Sequence, residues 1–79
     1  MNRIRWQDRV VMDIDLHHGA PCIRGTRVSV ATILGSLADG FDAGRIREAY
    51  PQLTDADIAA TLAYTADVVQ GEILLPFAA

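Results

Sequence analysis

Two arginines, Arg24 and Arg27, lie in a ten-residue segment whose composition favours a stiff, exposed support. The segment, HGAPCIRGTR over residues 18–27, contains two glycines and a proline. It is not predicted to be helical, because proline lacks a backbone N–H and glycine accepts positive φ. Guanidinium groups match phosphate oxygens and the edge of guanine. We therefore expect Arg24, Thr26 and Arg27 to contact DNA. The alternative is that the arginines satisfy carbonyl groups or aspartates within the chain.

Residues of the types used in catalysis are present but are not arranged for it. Cys22 has no evident base, so a buried core cysteine is the favoured interpretation. The side chains of His17 and His18 diverge, and a metal site there would need distant ligands. The chain has no Gly-Lys-Ser/Thr phosphate loop. We expect no catalytic residue, no metal, no cofactor and no enzymatic activity.

The charges are unevenly distributed along the chain. The net charge is −3, and all seven cations are arginines. Residues 1–30 carry five Arg and three Asp, whereas residues 31–79 carry two Arg, five Asp and two Glu. A net negative charge argues against non-specific DNA binding. The absence of lysine fits either recognition through guanidinium groups or a GC-rich genome.

The length of 79 residues predicts a single domain over residues 1–79, with a small core. No apolar run approaches the length of a membrane span, and the N-terminus does not resemble a signal peptide. A single cysteine fits a reducing compartment. We expect a cytoplasmic protein that does not enter the membrane.

A hairpin is predicted before the helices. Alternation predicts a strand over residues 10–15, in which Val10, Met12 and Ile14 share one face. Residues 22–24 return as a second strand, with Ile23 inward and Arg24 outward. Residues 1–9 are predicted to form a short strand or an arm.

Three helix starts share one pattern. An apolar residue precedes a capping residue, and an isoleucine follows the cap by four positions, as in the hydrophobic staple. This pattern predicts helix starts near residues 30, 43 and 55, with ends at Gly40, Pro51 and Gly71. The predicted apolar faces are Val30, Ile33, Leu34, Leu37 and Ala38, then Ile46, Ala49 and Tyr50, then Ile58, Ala59, Leu62, Ala63, Ala66 and Val69.

A short turn containing Gly40 between two amphipathic helices is typical of a helix-turn-helix. In this interpretation the second helix enters the DNA groove, and Arg45 and Arg47 contact phosphates or bases. The alternative is a plain helical hairpin with solvated arginines. The third helix is a poorer candidate for the DNA-recognition helix, because Asp55 and Asp57 in its first turn repel phosphate.

The apolar tail over residues 72–79 follows the last helix. It either completes the core or docks on a partner protein as an extended peptide. We predict that Leu74, Leu75, Pro76 and Phe77 bind the partner.

The expected fold is mainly α. It comprises a short N-terminal β-hairpin or arm (residues 1–27), a three-helix, helix-turn-helix-like body (28–71) and an extended C-terminal tail (72–79). A homodimer is expected, because the core is small and paired DNA half-sites need two copies.

Three segments resemble domain-of-unknown-function family 433: GAPCIRGTRV over residues 19–28, the Gly40 turn, and YPQLTDADI over residues 50–58. The resemblance covers roughly residues 5–77, and its Gly-x-Pro-x-Ile-Arg-Gly-Thr-Arg motif is specific. It implies an antitoxin of a type II toxin–antitoxin pair, similar to VapB-like antitoxins. The implied partners are a PIN-like ribonuclease toxin and operator DNA. The alternative function is a protein-interaction module that binds its partner without contacting DNA.

Overall fold

A two-stranded antiparallel sheet and three helices make up the part of the chain that the computed structural model describes, residues 3–15 and 17–71. In chain order the elements are β1 (Val10–Val11), β2 (Cys22–Ile23), α1 (Val30–Ala38), α2 (Ala43–Ala49) and α3 (Asp55–Val69). Short 3₁₀ turns cover Trp6–Asp8 and His17–Gly19. The mainly α class is confirmed.

All three predicted helix starts are confirmed. Each capping side chain accepts a hydrogen bond from a backbone N–H in the first turn, which satisfies a donor that has no partner inside the helix. The bonds run from Thr32 N to Ser29 Oγ, from Arg45 N to Asp42 Oδ1 and from Asp57 N to Thr54 Oγ1, at 2.9–3.1 Å. The isoleucine that follows each cap is at most 4% exposed.

The first helix ends at a glycine in the left-handed region. Gly40 has φ +95°, a conformation that side chains with a Cβ rarely adopt. Its N–H donates to Leu37 O, and the N–H of Phe41 donates to Ser36 O, both at 3.0 Å. This paired closure, the Schellman motif, turns the chain directly into α2.

One apolar cluster joins every strand and helix. It consists of Val10, Ile23, Val28, Val30, Ile33, Ile46, Leu53, Ile58, Ala60 and Tyr64. The inward direction of Ile23 and the outward direction of Arg24 are confirmed.

The first strand is shorter than predicted. Pairing covers Val10 opposite Ile23 and Val11 opposite Cys22. The predicted inward residues Met12 and Ile14 are 52% and 78% exposed. The Asp13 carboxylate accepts a hydrogen bond from Asp15 N at 2.9 Å, a local turn that competes with an extended strand.

Residues 3–9 form an arm that packs on α3, with a 3₁₀ turn over Trp6–Asp8 in place of the short strand that was the other prediction for residues 1–9. The ring of Trp6 meets the ring of Tyr64 edge-on, with centroids 4.9 Å apart. The indole Nε1 donates to Asp67 at 2.7 Å. The aromatic contact and the hydrogen bond therefore hold this segment against the helix.

The buried face of α3 differs from the predicted stripe. Its buried residues are Asp57, Ile58, Ala60, Thr61, Ala63 and Tyr64. Thr61 can be fully buried because its hydroxyl donates to Asp57 O at 3.1 Å. Ala59, Leu62 and Val69, predicted as core, are exposed instead. On the shorter helices, Ala38 and Ala49 are likewise exposed.

Candidate nucleic-acid interface

The turn after β2 presents the first two predicted DNA-binding arginines. Its hydrogen bond runs from Thr26 N to Ile23 O at 3.0 Å, and Gly25 has φ +79°. The Thr26 hydroxyl donates to Ile23 O and accepts from Val28 N. Thr26 therefore holds the turn closed, whereas Arg24 and Arg27 are exposed.

The two arginines of α2 lie at the surface and also contact the protein. The guanidinium carbon of Arg45 lies 4.2 Å from the centroid of the Phe41 ring, a cation–π arrangement. Arg47 Nε lies 2.8 Å from Asp55 Oδ1, so this side chain ties α2 to the first turn of α3. Both arginines remain exposed, and contacts between exposed groups of this kind are weak.

Glycine at position 44 leaves room for the cap of α2. A Cβ added there would lie 3.3 Å from the Asp42 carboxylate oxygen. That oxygen accepts the capping hydrogen bond from Arg45 N. Gly44, a poor helix former, therefore lies in this short helix at a position where a side chain would crowd the capping carboxylate.

Three arginines gather at one polar cleft of about 400 Å³. Arg5 precedes the first 3₁₀ turn, Arg9 follows it, and Arg24 lies in the turn after β2. Ile4, Asp8 and Asp57 complete the lining. Of the predicted DNA-binding residues, Arg24 lines this cleft, whereas Arg45 and Arg47 lie elsewhere, on α2. Sequence reasoning missed Arg5 and Arg9, because only the fold brings them beside Arg24.

The carboxylates around this cleft fix the arginines in place. Arg9 Nη1 lies 3.0 Å from Asp57 Oδ1, and Arg5 Nε lies 3.4 Å from Asp8 Oδ1. Arg24 Nε donates to the backbone oxygen of Asp8 at 3.2 Å. The side chains of Arg5 and Arg9 remain 70% and 40% exposed. The guanidinium groups of Arg5 and Arg9 are therefore held in ion pairs and remain accessible to solvent.

An apolar groove of about 470 Å³ lies between α1 and α3. Val30 and Leu34 of α1 and Tyr64 and Val68 of α3 line it, together with Pro21. The last turn of α3 contributes to this groove, so the chain leaves the helix close to it.

The outer face of α3 carries apolar residues at heptad-like spacing. Ala59, Leu62, Ala66 and Val69 are separated by three, four and three positions. Leu62 is 50% exposed and Val69 is 79% exposed. Such a stripe is the kind of surface that packs against another helix.

Cys22 lies in the core and not in the cleft. It is fully buried, and its Sγ donates to Ala20 O at 3.4 Å. Burial raises the pKa of this thiol, because the charged thiolate loses its hydration. Over residues 3–15 and 17–71, no group of three His, Cys, Asp or Glu side chains is placed to hold a metal ion. Nor does any helix in those ranges have the length and apolar character needed to cross a membrane.

The chain matches the family model of a protein of unknown function, DUF433, over residues 10–65. The match includes the turn after β2 and most of the three-helix body. The chain therefore belongs to this family, and the resemblance seen in the sequence is confirmed. No curated protein and no solved structure matches the chain.

Proposed function

We propose that the protein is the antitoxin of a type II toxin–antitoxin system, which neutralises a PIN-like ribonuclease toxin by direct binding and represses its own operon. The observation that carries the proposal is the outer face of α3, where Leu62 and Val69 are left uncovered within the described residues. Large apolar side chains at regular spacing on an exposed helix favour a protein partner.

The toxin-binding segment in this proposal is the tail that follows α3. Leu74, Leu75, Pro76 and Phe77 lie outside the described residues, so their assignment rests on their apolar sequence. In this proposal the tail binds the toxin as an extended peptide.

A homodimer in the cytoplasm is part of the same proposal. The heptad-like spacing of Ala59, Leu62, Ala66 and Val69 supports pairing through α3. The hairpin is the alternative dimer surface. Two copies would place two sets of arginines on the paired half-sites of an operator.

The DNA-binding part of the proposal is supported by exposed arginines. Arg24 and Arg27 lie on a turn fixed by Thr26, and Arg45 and Arg47 lie on the helix that follows the Gly40 turn. A duplex would be bound through its phosphates by these guanidinium groups.

One observation favours the alternative, a module that binds a protein partner without contacting DNA. Arg45 stacks on Phe41 and Arg47 pairs with Asp55, so both arginines of α2 already have intramolecular roles. Aspartates in the first turn of α3 also oppose a DNA backbone beside α2.

Two binding measurements separate these functions. The chain is co-expressed with the PIN-like protein encoded beside it, and the complex is isolated by size exclusion. Fluorescence anisotropy with DNA from upstream of the gene is then recorded at low and moderate salt, beside a scrambled duplex and an Arg45→Ala/Arg47→Ala variant. Co-elution together with salt-dependent, specific DNA binding supports the antitoxin and repressor. Co-elution without DNA binding supports neutralisation without repression, and the absence of co-elution contradicts the antitoxin.

A further inference from the structure

The cleft lined by Arg5, Arg9 and Arg24 carries an excess of positive charge in an acidic protein. Its three guanidinium groups face two carboxylates, which leaves one positive charge in excess, whereas the whole chain has a net charge of −3. The arginines come from two places in the chain, because Arg5 and Arg9 flank the 3₁₀ turn of the N-terminal segment and Arg24 lies in the turn after β2. Like charges brought together this way repel one another, and a bound anion would relieve that repulsion.

The ion pairs and hydrogen bonds around the cleft do not use every guanidinium donor. Arg5 Nε pairs with the Asp8 carboxylate and Arg24 Nε donates to the Asp8 backbone oxygen, so these two contacts do not use the terminal nitrogens of either guanidinium, which are also donors. Arg9 uses Nη1 for Asp57. Asp57 is 7% exposed and also accepts from Thr54 N, so its charge is turned toward the protein.

We propose that this cleft binds a phosphoryl group through Arg5, Arg9 and Arg24. A tetrahedral phosphoryl group offers oxygens in several directions and can meet guanidinium groups from three sides, whereas a carboxylate accepts in one plane. The cleft volume of about 400 Å³ accommodates such a group. The source is a phosphodiester of nucleic acid or a free phosphate. The nucleic-acid source rests on the DNA-binding part of the proposed function, but the cleft itself can be tested without DNA.

The direct test is a titration of the full chain with inorganic phosphate, followed by NMR of the arginine Nε–Hε signals. Signals of Arg5, Arg9 and Arg24 are expected to shift together. Arg5→Gln and Arg24→Gln are each expected to weaken phosphate binding about tenfold, because each removes a charge-assisted hydrogen bond. Asp8→Asn is expected to tighten binding, because it removes a negative charge from the cleft.

Arg3→Gln is the matched control. Arg3 pairs with Asp67 on α3, and its side chain is 53% exposed, so the variant removes the same charge outside the cleft. It is expected to leave phosphate binding unchanged. An equal loss in Arg3→Gln overturns the site, because the attraction would then be diffuse. Saturation of the same signals by acetate at equal affinity also overturns it and points to the carboxylates of a protein partner.

A DNA arm distinguishes the two sources. With upstream DNA, Arg5→Gln and Arg24→Gln are each expected to reduce the slope of log affinity against log salt by about one. Unchanged DNA binding together with weakened phosphate binding overturns the nucleic-acid source and supports a free phosphate. Phosphate binding by a chain that binds no DNA supports the cleft and contradicts only the DNA-binding part of the proposed function.

Discussion

Arg9 and Asp57 form an ion pair between residues 48 positions apart, with Nη1 3.0 Å from Oδ1. The pair joins the segment before β1 to the first turn of α3. Asp57 is also the third residue of α3 and forms a capping box with Thr54, in which its carboxylate accepts from Thr54 N and its own N–H donates to Thr54 Oγ1. One buried carboxylate therefore both starts the helix and anchors the N-terminal segment on it.

Asp57→Ala is expected to lower the free energy of unfolding by about 2–3 kcal/mol, because it removes a cap acceptor and leaves Arg9 without its carboxylate. Asp57→Asn keeps an acceptor for Thr54 N and is expected to cost less. Urea denaturation followed by Trp6 fluorescence measures both variants. Asp55→Ala is the control, since its pair with Arg47 is largely exposed and is expected to contribute under about 1 kcal/mol. Equal losses in the Asp55 and Asp57 variants would contradict the double role of Asp57.

Substitution of two glycines by alanine is expected to change the free energy of unfolding in opposite directions, because one lies inside α1 and the other just beyond its C-terminal end. Gly35→Ala is expected to raise the free energy of unfolding by about 0.5–1 kcal/mol, because it lies inside α1 with open space around the added methyl group. Gly40→Ala is expected to lower it by about 1–2 kcal/mol, because φ is +95° there. Thermal unfolding by circular dichroism measures both. A Gly40→Ala variant as stable as Gly35→Ala would refute the left-handed closure of α1.

Cys22 is expected to make stability fall at alkaline pH. Its pKa is raised in the folded state by burial, so the folded protein holds the proton more tightly than the unfolded chain does. The contribution is fully present below the unfolded pKa of about 8.5 and is lost as the pH rises from there toward the folded pKa. Urea denaturation at pH 7.5 and pH 9.5 is compared with that of Cys22→Ala. The difference in the free energy of unfolding between the native protein and Cys22→Ala is expected to be smaller at pH 9.5 than at pH 7.5, by up to about 1 kcal/mol. A constant difference would mean that the thiol ionises freely in the folded state.

Leu74→Asp is expected to weaken toxin binding by at least about tenfold, because a charge would enter the apolar segment assigned to the partner. Isothermal titration of the isolated toxin measures it. Ile14→Asp is the control, since Ile14 is a 78% exposed apolar residue in the loop between β1 and β2. Equal affinity of the toxin for the two variants would show that the tail is not part of the interface.

The sequence predicted the helices because their signals are local. Caps at Ser29, Asp42 and Thr54, each with an isoleucine four positions on, fix the helix starts from within one turn. Cys22 and Ile23 were also predicted as buried, since a hairpin needs only short-range pairing.

The features that the sequence did not predict depend on contacts between residues distant in the chain. The buried face of α3 includes Thr61 and Tyr64, because Thr61 bonds to its own helix and Tyr64 meets Trp6. The periodicity of apolar residues alone predicts Leu62 on the buried face, whereas its side chain faces outward. The cleft of Arg5, Arg9 and Arg24 likewise exists only after the N-terminal segment folds onto α3 and β2, so no pattern of spacing could indicate it.

Neutralisation of a ribonuclease is the core of the proposed function, and an enzymatic assay tests it directly. The proposed partner, a PIN-like ribonuclease sought in the neighbouring gene, is purified and assayed on a fluorogenic RNA while the full chain is titrated in, with Leu74→Asp and Ile14→Asp run in parallel. Neutralisation predicts that ribonuclease activity falls to background near a fixed stoichiometric ratio for the native chain and for Ile14→Asp, and persists with Leu74→Asp. Undiminished ribonuclease activity at a large excess of folded native chain would contradict it.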